Sequence, residues 1–414
     1  MIKFQKYTLD NGLRVIVHED NSSPMVAVNI VYDVGSRDED SGMTGFAHLF
    51  EHLMFGGSAN APDFDGPIQC AGGENNAFTN TDMTNFYNVL PAENIETALW
   101  LESDRMKQLI FSQNALDVQK KVVIEEFKET CLTEPYGDVW HHLSKLAYKN
   151  HSYSWPTIGK EMSHIEDARL TDVKNFFDKH YTTQNAILVI SGNVIAEEVK
   201  HSVDKWFGDI PQGHKYERRL KQEPRQTEFR CKTVTGNAPI PAIYLSFHMV
   251  ARDHEDYYAY DLLSDVLSNG RSSRLFQRLH KVNPLFSQID AYISGTFDPG
   301  MFIIEGRPNK NVDLETAKAA IWNELEILIH EEIDSRELNK LQNKIESSLE
   351  YSEVNILHKS MSLAYFELLG DAALINKEAA AYQKVTSADI RRVAKIIFRK
   401  ENCTELTYLP SEDD

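Results

Sequence analysis

The chain reads as an α/β (α+β) protein of two similar domains, each a mixed β-sheet packed with helices, related by internal duplication. Three observations predict this. Strand-like and helix-like patterns intermix along all 414 residues instead of segregating. That length exceeds what one hydrophobic core organises. Two pairs of segments also repeat at nearly one spacing: 28–38 parallels 243–253, an offset of 215, and 172–185 parallels 389–402, an offset of 217. The first pair is an alternating strand that ends in an Arg-Asp turn; the second is a helix that leads into a strand. Two anchors with nearly equal offsets are better explained by duplication than by chance.

Taken in order, apolar and β-branched runs predict strands at 26–34, 84–90, 186–191, 242–250, 301–306 and 404–409. Apolar residues recurring every three to four positions predict helices at 93–109, 114–130, 254–282, 312–332 and 335–369. Between the halves, 211–226 is polar, charged and bounded by Pro211 and Pro224, as a linker would be. The domains are therefore expected at 1–212 and 228–414, with 213–227 as the linker. The second would repeat the fold of the first.

Composition narrows the function. Hydrophobic content of 42% and aromatic content of 10% are globular values. A net charge of −19 argues against nucleic-acid binding and favours basic peptide partners. Cys70, Cys131, Cys231 and Cys403 form no Cys-x-x-Cys and read as free buried thiols in a reducing compartment. The first residues lack an apolar signal core, and no run reaches the length of a membrane span. The expectation is a cytoplasmic protein, unless a signal peptide has been trimmed.

The chemistry concentrates at His48, Glu51 and His52. At about 100° per residue, His48 sits at 0°, His52 at about 40° and Glu51 at about 300°, so all three share one helix face. Phe46, Leu49, Phe50 and Leu53 supply the apolar face of that helix, and Gly56-Gly57 supplies its stop. Two imidazoles can then aim at one metal ion while the carboxylate faces its water. The plain alternative is a helix with two half-exposed histidines and a solvated glutamate. A catalytic zinc ion takes three protein ligands and a water. The third could come from the helical segment 119–129, in which Glu125 and Glu126 are neighbours and only one can face a given direction. At offsets of 214 or 215, His48 falls on Leu262 or Leu263 and His52 on Val266 or Leu267. The second half thus keeps an apolar helix and no metal kit, which favours a chemical reason for the histidines. His141 and His142, adjacent on a helix, cannot both face one metal and read as structural.

At these residues the sequence resembles the pitrilysin and mitochondrial processing peptidase family of inverted zincins. Members carry His-x-x-Glu-His and a ligand Glu some 75 residues on, and Glu126 follows His52 by 74. Further matches are Asn76, Ala77, Phe78 and Thr79, Gly137, and the run Gly270 to Leu275. The resemblance covers nearly the whole chain. It implies one Zn2+ per chain on His48, His52 and Glu126, with Glu51 as general base and then acid in peptide hydrolysis. It also implies that residues 76–79 form a sheet edge that pairs with an extended substrate; the alternative is an ordinary hairpin turn. Gly270 to Leu275 would be a flexible chamber wall or a plain helix stop.

Two departures stand out. Gln119 occupies the position, seven before the ligand, where family members often have a water-orienting Glu. Leu279 and Phe286 stand where an Arg and a Tyr seven apart would hold the substrate carbonyl. The resemblance therefore implies a dimer, preferably an unlike pair in which a related chain supplies the Arg and Tyr. The alternative is a non-catalytic scaffold subunit. A zinc enzyme acting on a small molecule is a third reading, disfavoured by the two-domain chain and the peptide-edge segment.

Overall fold

Two mixed sheets carry the fold in a computed structural model that describes residues 1–411. The first contains β1 (Gln5–Thr8), β2 (Arg14–Glu19), β3 (Met25–Tyr32), β4 (Glu74–Thr79), β5 (Thr84–Pro91) and β6 (Ala186–Gly192), in the order β1-β2-β6-β3-β5-β4. The second contains β7 (Arg230–Gly236), β8 (Ala242–His248), β9 (Phe286–Ile293), β10 (Met301–Pro308) and β11 (Cys403–Pro410), in the order β7-β11-β8-β10-β9. Each sheet has one parallel pair, β2 with β6 and β7 with β11; the other pairings are antiparallel.

Without β1, the two orders match strand for strand, which establishes the duplication. β10 and β11 begin 217 positions after β5 and β6. The match extends to one side chain. Asn185 Nδ2 donates to the His180 and Asp33 carbonyls. Asn402 Nδ2 donates to the Ile397 and His248 carbonyls.

All six expected strands are present. The central ones read as near-continuous apolar runs because both faces are covered. In β6, Leu188 and Ile190 join one buried cluster, and Ile187 and Val189 join another on the opposite face. Sequence patterning gives no strand at β1, β2, β7 or β9, and β4 enters only as the sheet edge at 76–79 that the resemblance implies. Three of these (β1, β4, β7) are polar and largely solvent-facing.

Two expected helices are interrupted. The pattern 254–282 breaks after the Tyr257–Ser268 helix at Gly270, whose φ of 95° ends it, and resumes as a π-helical turn, Phe276–Val282. The pattern 335–369 breaks between Ser335–Ser352 and Ile356–Leu368, where the Asn355 side chain accepts from the Leu357 and His358 amides and starts a new helix.

The chain condenses into two compact units: residues 1–127, 155–221 and 350–377, and residues 128–154, 222–349 and 378–414. Each unit thus includes one segment from the other half of the chain. In the first, Leu363, Ala364 and Phe366 cover Ile16, Val31, Ile187 and Val189 of the sheet. In the second, Val139 and Leu143 cover Ala242, Tyr244, Leu406 and Tyr408. The two covering helices, Val139–Ala147 and Ile356–Leu368, begin 217 positions apart, so the duplicated element is the one exchanged.

The cysteines form no disulfide. The expectation that all four are buried is corrected: Cys131 and Cys403 are buried, whereas Cys70 and Cys231 are exposed. No helix among the described residues is long and apolar enough to cross a membrane.

Candidate metal centre

The Phe46–Leu53 helix is anchored by its apolar side. Phe46, Ala47, Leu49, Phe50 and Leu53 are buried, and the Phe50 ring stacks within 5.0–5.1 Å of Tyr181 and Phe176. With that side fixed, His48, Glu51 and His52 emerge on the other, half-exposed. The Gln113–Phe127 helix packs against it, with its buried Leu116 and Val123 in the same core cluster as Phe46, Leu49, Phe50 and Leu53, and Glu126 faces the histidines.

The three groups meet. His48 Nε2 and His52 Nε2 lie 3.3 Å apart, and Glu126 lies 3.6 Å from His48 through Oε1 and 3.3 Å from His52 through Oε2. Zinc holds nitrogen and oxygen ligands at about 2.0–2.1 Å, so neighbouring ligands in a tetrahedral shell sit about 3.3–3.4 Å apart. The three observed separations are close to that spacing, with the two Glu126 contacts made by different carboxylate oxygens. Among the described residues this is the one group of three or more His, Cys, Asp or Glu side chains close enough to hold a metal ion.

The electrostatics match a donor set. Burial pushes the His48 imidazole below its ordinary pKa, against the pull of the Glu126 charge. The hydrogen bond from His52 holds the Glu126 carboxyl below the usual carboxylate range, with the charges of the two histidines in support. Both shifts favour the unprotonated forms that coordinate a metal. Glu51 is close enough for its charge to act on His48. His48 Nδ1 is buried and has no hydrogen-bond partner among the described residues, so no protein acceptor fixes that ring as one does in many metal sites.

Gln119 lies two turns before Glu126 on the same helix and the same face, half-buried. Glu125 is exposed and turned away from that face. Residues Asn76, Ala77, Phe78 and Thr79 lie within β4. The hairpin turn is the next segment, where the Asn80 side chain accepts from the Asp82 and Met83 amides. β4 packs beside the His48 helix, pairs with β5 on one side, and has no strand on its other side among the described residues.

The second-half positions look different in place. Leu279 and Phe286 are 5% and 0% exposed and belong to the core of the second unit. They are packing residues, so their apolar character is no measure of a lost substrate contact. The polar pair one position on, His280 and Ser287, keeps the seven-residue spacing and is half-buried and exposed respectively; neither is Arg or Tyr. At the start of β9 the buried Phe286 is followed by the exposed Ser287, so the outward-facing side chain there is the polar one. The turn after Gly270 is pinned: Arg274 pairs with Glu337 through two bonds of 2.8 and 3.2 Å, and Lys340 donates to Ser272. Gly137 is explained by a close approach, since a Cβ there would lie 2.1 Å from the Thr130 carbonyl oxygen.

Duplicated sheets with a His-His-Glu cluster on one of them define a metallohydrolase-like class. Family comparison narrows it. Residues 14–161 match the model described as insulinase (peptidase family M16), and residues 167–345 match the model described as peptidase M16 inactive domain. The chain belongs to the M16 peptidase family, that of pitrilysin and the mitochondrial processing peptidases. It is 29% identical over 422 residues to the zinc protease PqqE of Helicobacter pylori, covering 99% of this chain and 93% of that protein. It is 24% identical over 357 residues to a probable mitochondrial-processing peptidase subunit beta of Arabidopsis thaliana, covering 83% of this chain and 66% of that protein. A crystal structure of a protease from Helicobacter pylori matches the fold with a TM-score of 0.93 at 27% identity, covering 99% of this chain and 100% of that one.

Proposed function

We propose that this chain is a zinc-dependent endopeptidase that hydrolyses unstructured peptides. The observation that carries the reading is the triangle of His48, His52 and Glu126, with edges of 3.3–3.6 Å. Those three residues would hold one zinc ion. When bound, zinc supplies Lewis acidity, polarising a peptide carbonyl and bringing the pKa of water toward about 7. Glu51 takes the proton from the attacking water and passes it to the leaving amine. The outer edge of β4 offers backbone N–H and C=O groups to an extended peptide, which would lie beside the ligand helix. Gln119 can donate or accept a hydrogen bond at its position but cannot act as a base.

The reading extends to a partner. Neither His280 nor Ser287 offers the charged donor of an Arg or the phenol of a Tyr, so a related chain supplies that pair in an unlike dimer. Losing one such donor typically removes about 2.7–4 kcal/mol of transition-state stabilisation. The second reading, a non-catalytic scaffold subunit, draws on Gln119 and on the same missing pair. Metal analysis with a peptide-cleavage assay decides between them. The enzyme reading expects about one zinc per chain, cleavage of an unstructured peptide that rises with the partner, and loss of both zinc and cleavage in His52→Ala. A metal-free wild-type chain would sink it, and full cleavage by the lone chain would refute the partner.

A further inference from the structure

The ligand helix begins on a buried carboxylate. Glu39 is 7% exposed, and its two oxygens accept from the Gly45 amide at 3.0 Å and the Ala47 amide at 2.8 Å. Trp155 Nε1 adds a third bond at 3.1 Å. The first N–H groups of a helix have no intrahelical partner, so the Glu39 oxygens supply acceptors that the helix itself lacks; burial pushes this carboxyl up to about 8 against the pull of those bonds. Gly45, at the helix start, has no side chain to do this. Its φ is 87°, and a Cβ would lie 2.8 Å from the Ile158 carbonyl oxygen. The approach to the helix is held from the same side: the Thr44 amide and hydroxyl meet His164 Nδ1 at 3.2 and 2.8 Å, and the Lys160 amide donates to Thr44 Oγ1 at 2.8 Å.

The duplication supplies a comparison. At the offset of 215 that relates segments 28–38 and 243–253, the counterpart of Glu39 is His254. His254 is exposed, and its Nδ1 accepts from the Asp256 amide, just ahead of the Tyr257–Ser268 helix. The half without the metal kit therefore also lacks the buried carboxylate.

Resting on the metal-centre reading, we propose that Glu39 is the positioning residue of that centre. Its two oxygens fix the pitch of the first helical turn, and so bring His48 and His52 within 3.3–3.6 Å of Glu126. A glutamine presents one carbonyl oxygen to the three N–H donors and sets its amide group against at least one of them, a mismatch that is greatest above about pH 8, where the Glu39 carboxyl is ionised.

The test uses the full chain, zinc alone as the probe, chelator competition for affinity and thermal melting for stability. Glu39→Gln is expected to weaken zinc binding about 10–100-fold, the usual effect of losing a group that orients a ligand. Glu39→Asp keeps the carboxyl group but is too short to reach both amides, so it is expected to fall between wild type and Glu39→Gln. If Glu39→Gln does not fold, Glu39→Asp carries the test. Trp155→Phe leaves both helix bonds in place and is expected to lower the melting temperature without changing zinc affinity. Wild-type affinity in the Glu39 variants overturns the proposal, as does an equal loss in Trp155→Phe, which would mean a general structural role. A wild-type chain that binds no zinc overturns the metal-centre reading together with this one.

Discussion

The two sheets follow one strand order, yet only the first supports a ligand cluster. In the first unit, the helix after β3 shows His48, Glu51 and His52 on its outer side. In the second unit, the helix after β8 buries Leu262, Leu263, Val266 and Leu267. The backbone plan is thus indifferent to chemistry. What separates the units is a handful of side chains and the carboxylate that starts one helix.

Four substitutions would break or sharpen that contrast. The largest effect is expected at the cluster. Glu126→Ala should reduce zinc from about one ion per chain to none, read by elemental analysis, and abolish peptide cleavage while the chain stays folded. A change in the second unit at a counterpart of His48, Leu263→Ala, should do the reverse. It should leave zinc in place and destabilise by about 2–5 kcal/mol in urea unfolding, because it opens a cavity in a fully buried site.

A smaller, pH-dependent effect is expected at Asp265 in the second unit. Burial, helped by the charge of Asp261, pushes its carboxyl up to about 6. The folded chain therefore holds this proton to higher pH than the unfolded chain, whose Asp titrates near 3.9. Its contribution to stability is complete below about pH 4 and is lost as pH rises through about 6. Asp265→Asn should accordingly stabilise by about 2 kcal/mol at pH 8 and by little at pH 4; an equal gain at both would refute the assignment. The smallest effect is expected at Glu96 and Lys205, whose side chains are 55% and 50% exposed. Glu96→Ala should change stability by about 0–1 kcal/mol, less at high salt.

Much of this was legible in the residues. Period and spacing placed the ligand helix, and the repeat offsets of 215 and 217 announced the matching sheets. Most strands buried on both faces were found as apolar and β-branched runs; β2 was not, because its apolar run is only Val15, Ile16 and Val17. Edge strands such as β1 (Gln5–Thr8) and β7 (Arg230–Gly236) were not, because an edge needs little apolar character to pair. Leu279 and Phe286 stand at expected site positions, but both side chains turn into the core; for Phe286, at the start of β9, moving one residue along the strand exchanges the buried and exposed faces. The exchanged helices left no trace in composition, since Val139–Ala147 and Ile356–Leu368 look like any amphipathic segment.

The sequence by itself determined the duplicated architecture and the two imidazoles one turn apart, because both follow from local periodicity and short spacing. Only the tertiary structure decided that Glu126 closes the triangle, that Glu39 reaches the helix start, and that each sheet is covered by a helix from the opposite half of the chain. Those contacts join residues far apart in the chain, and no local pattern encodes which distant surface a helix will meet.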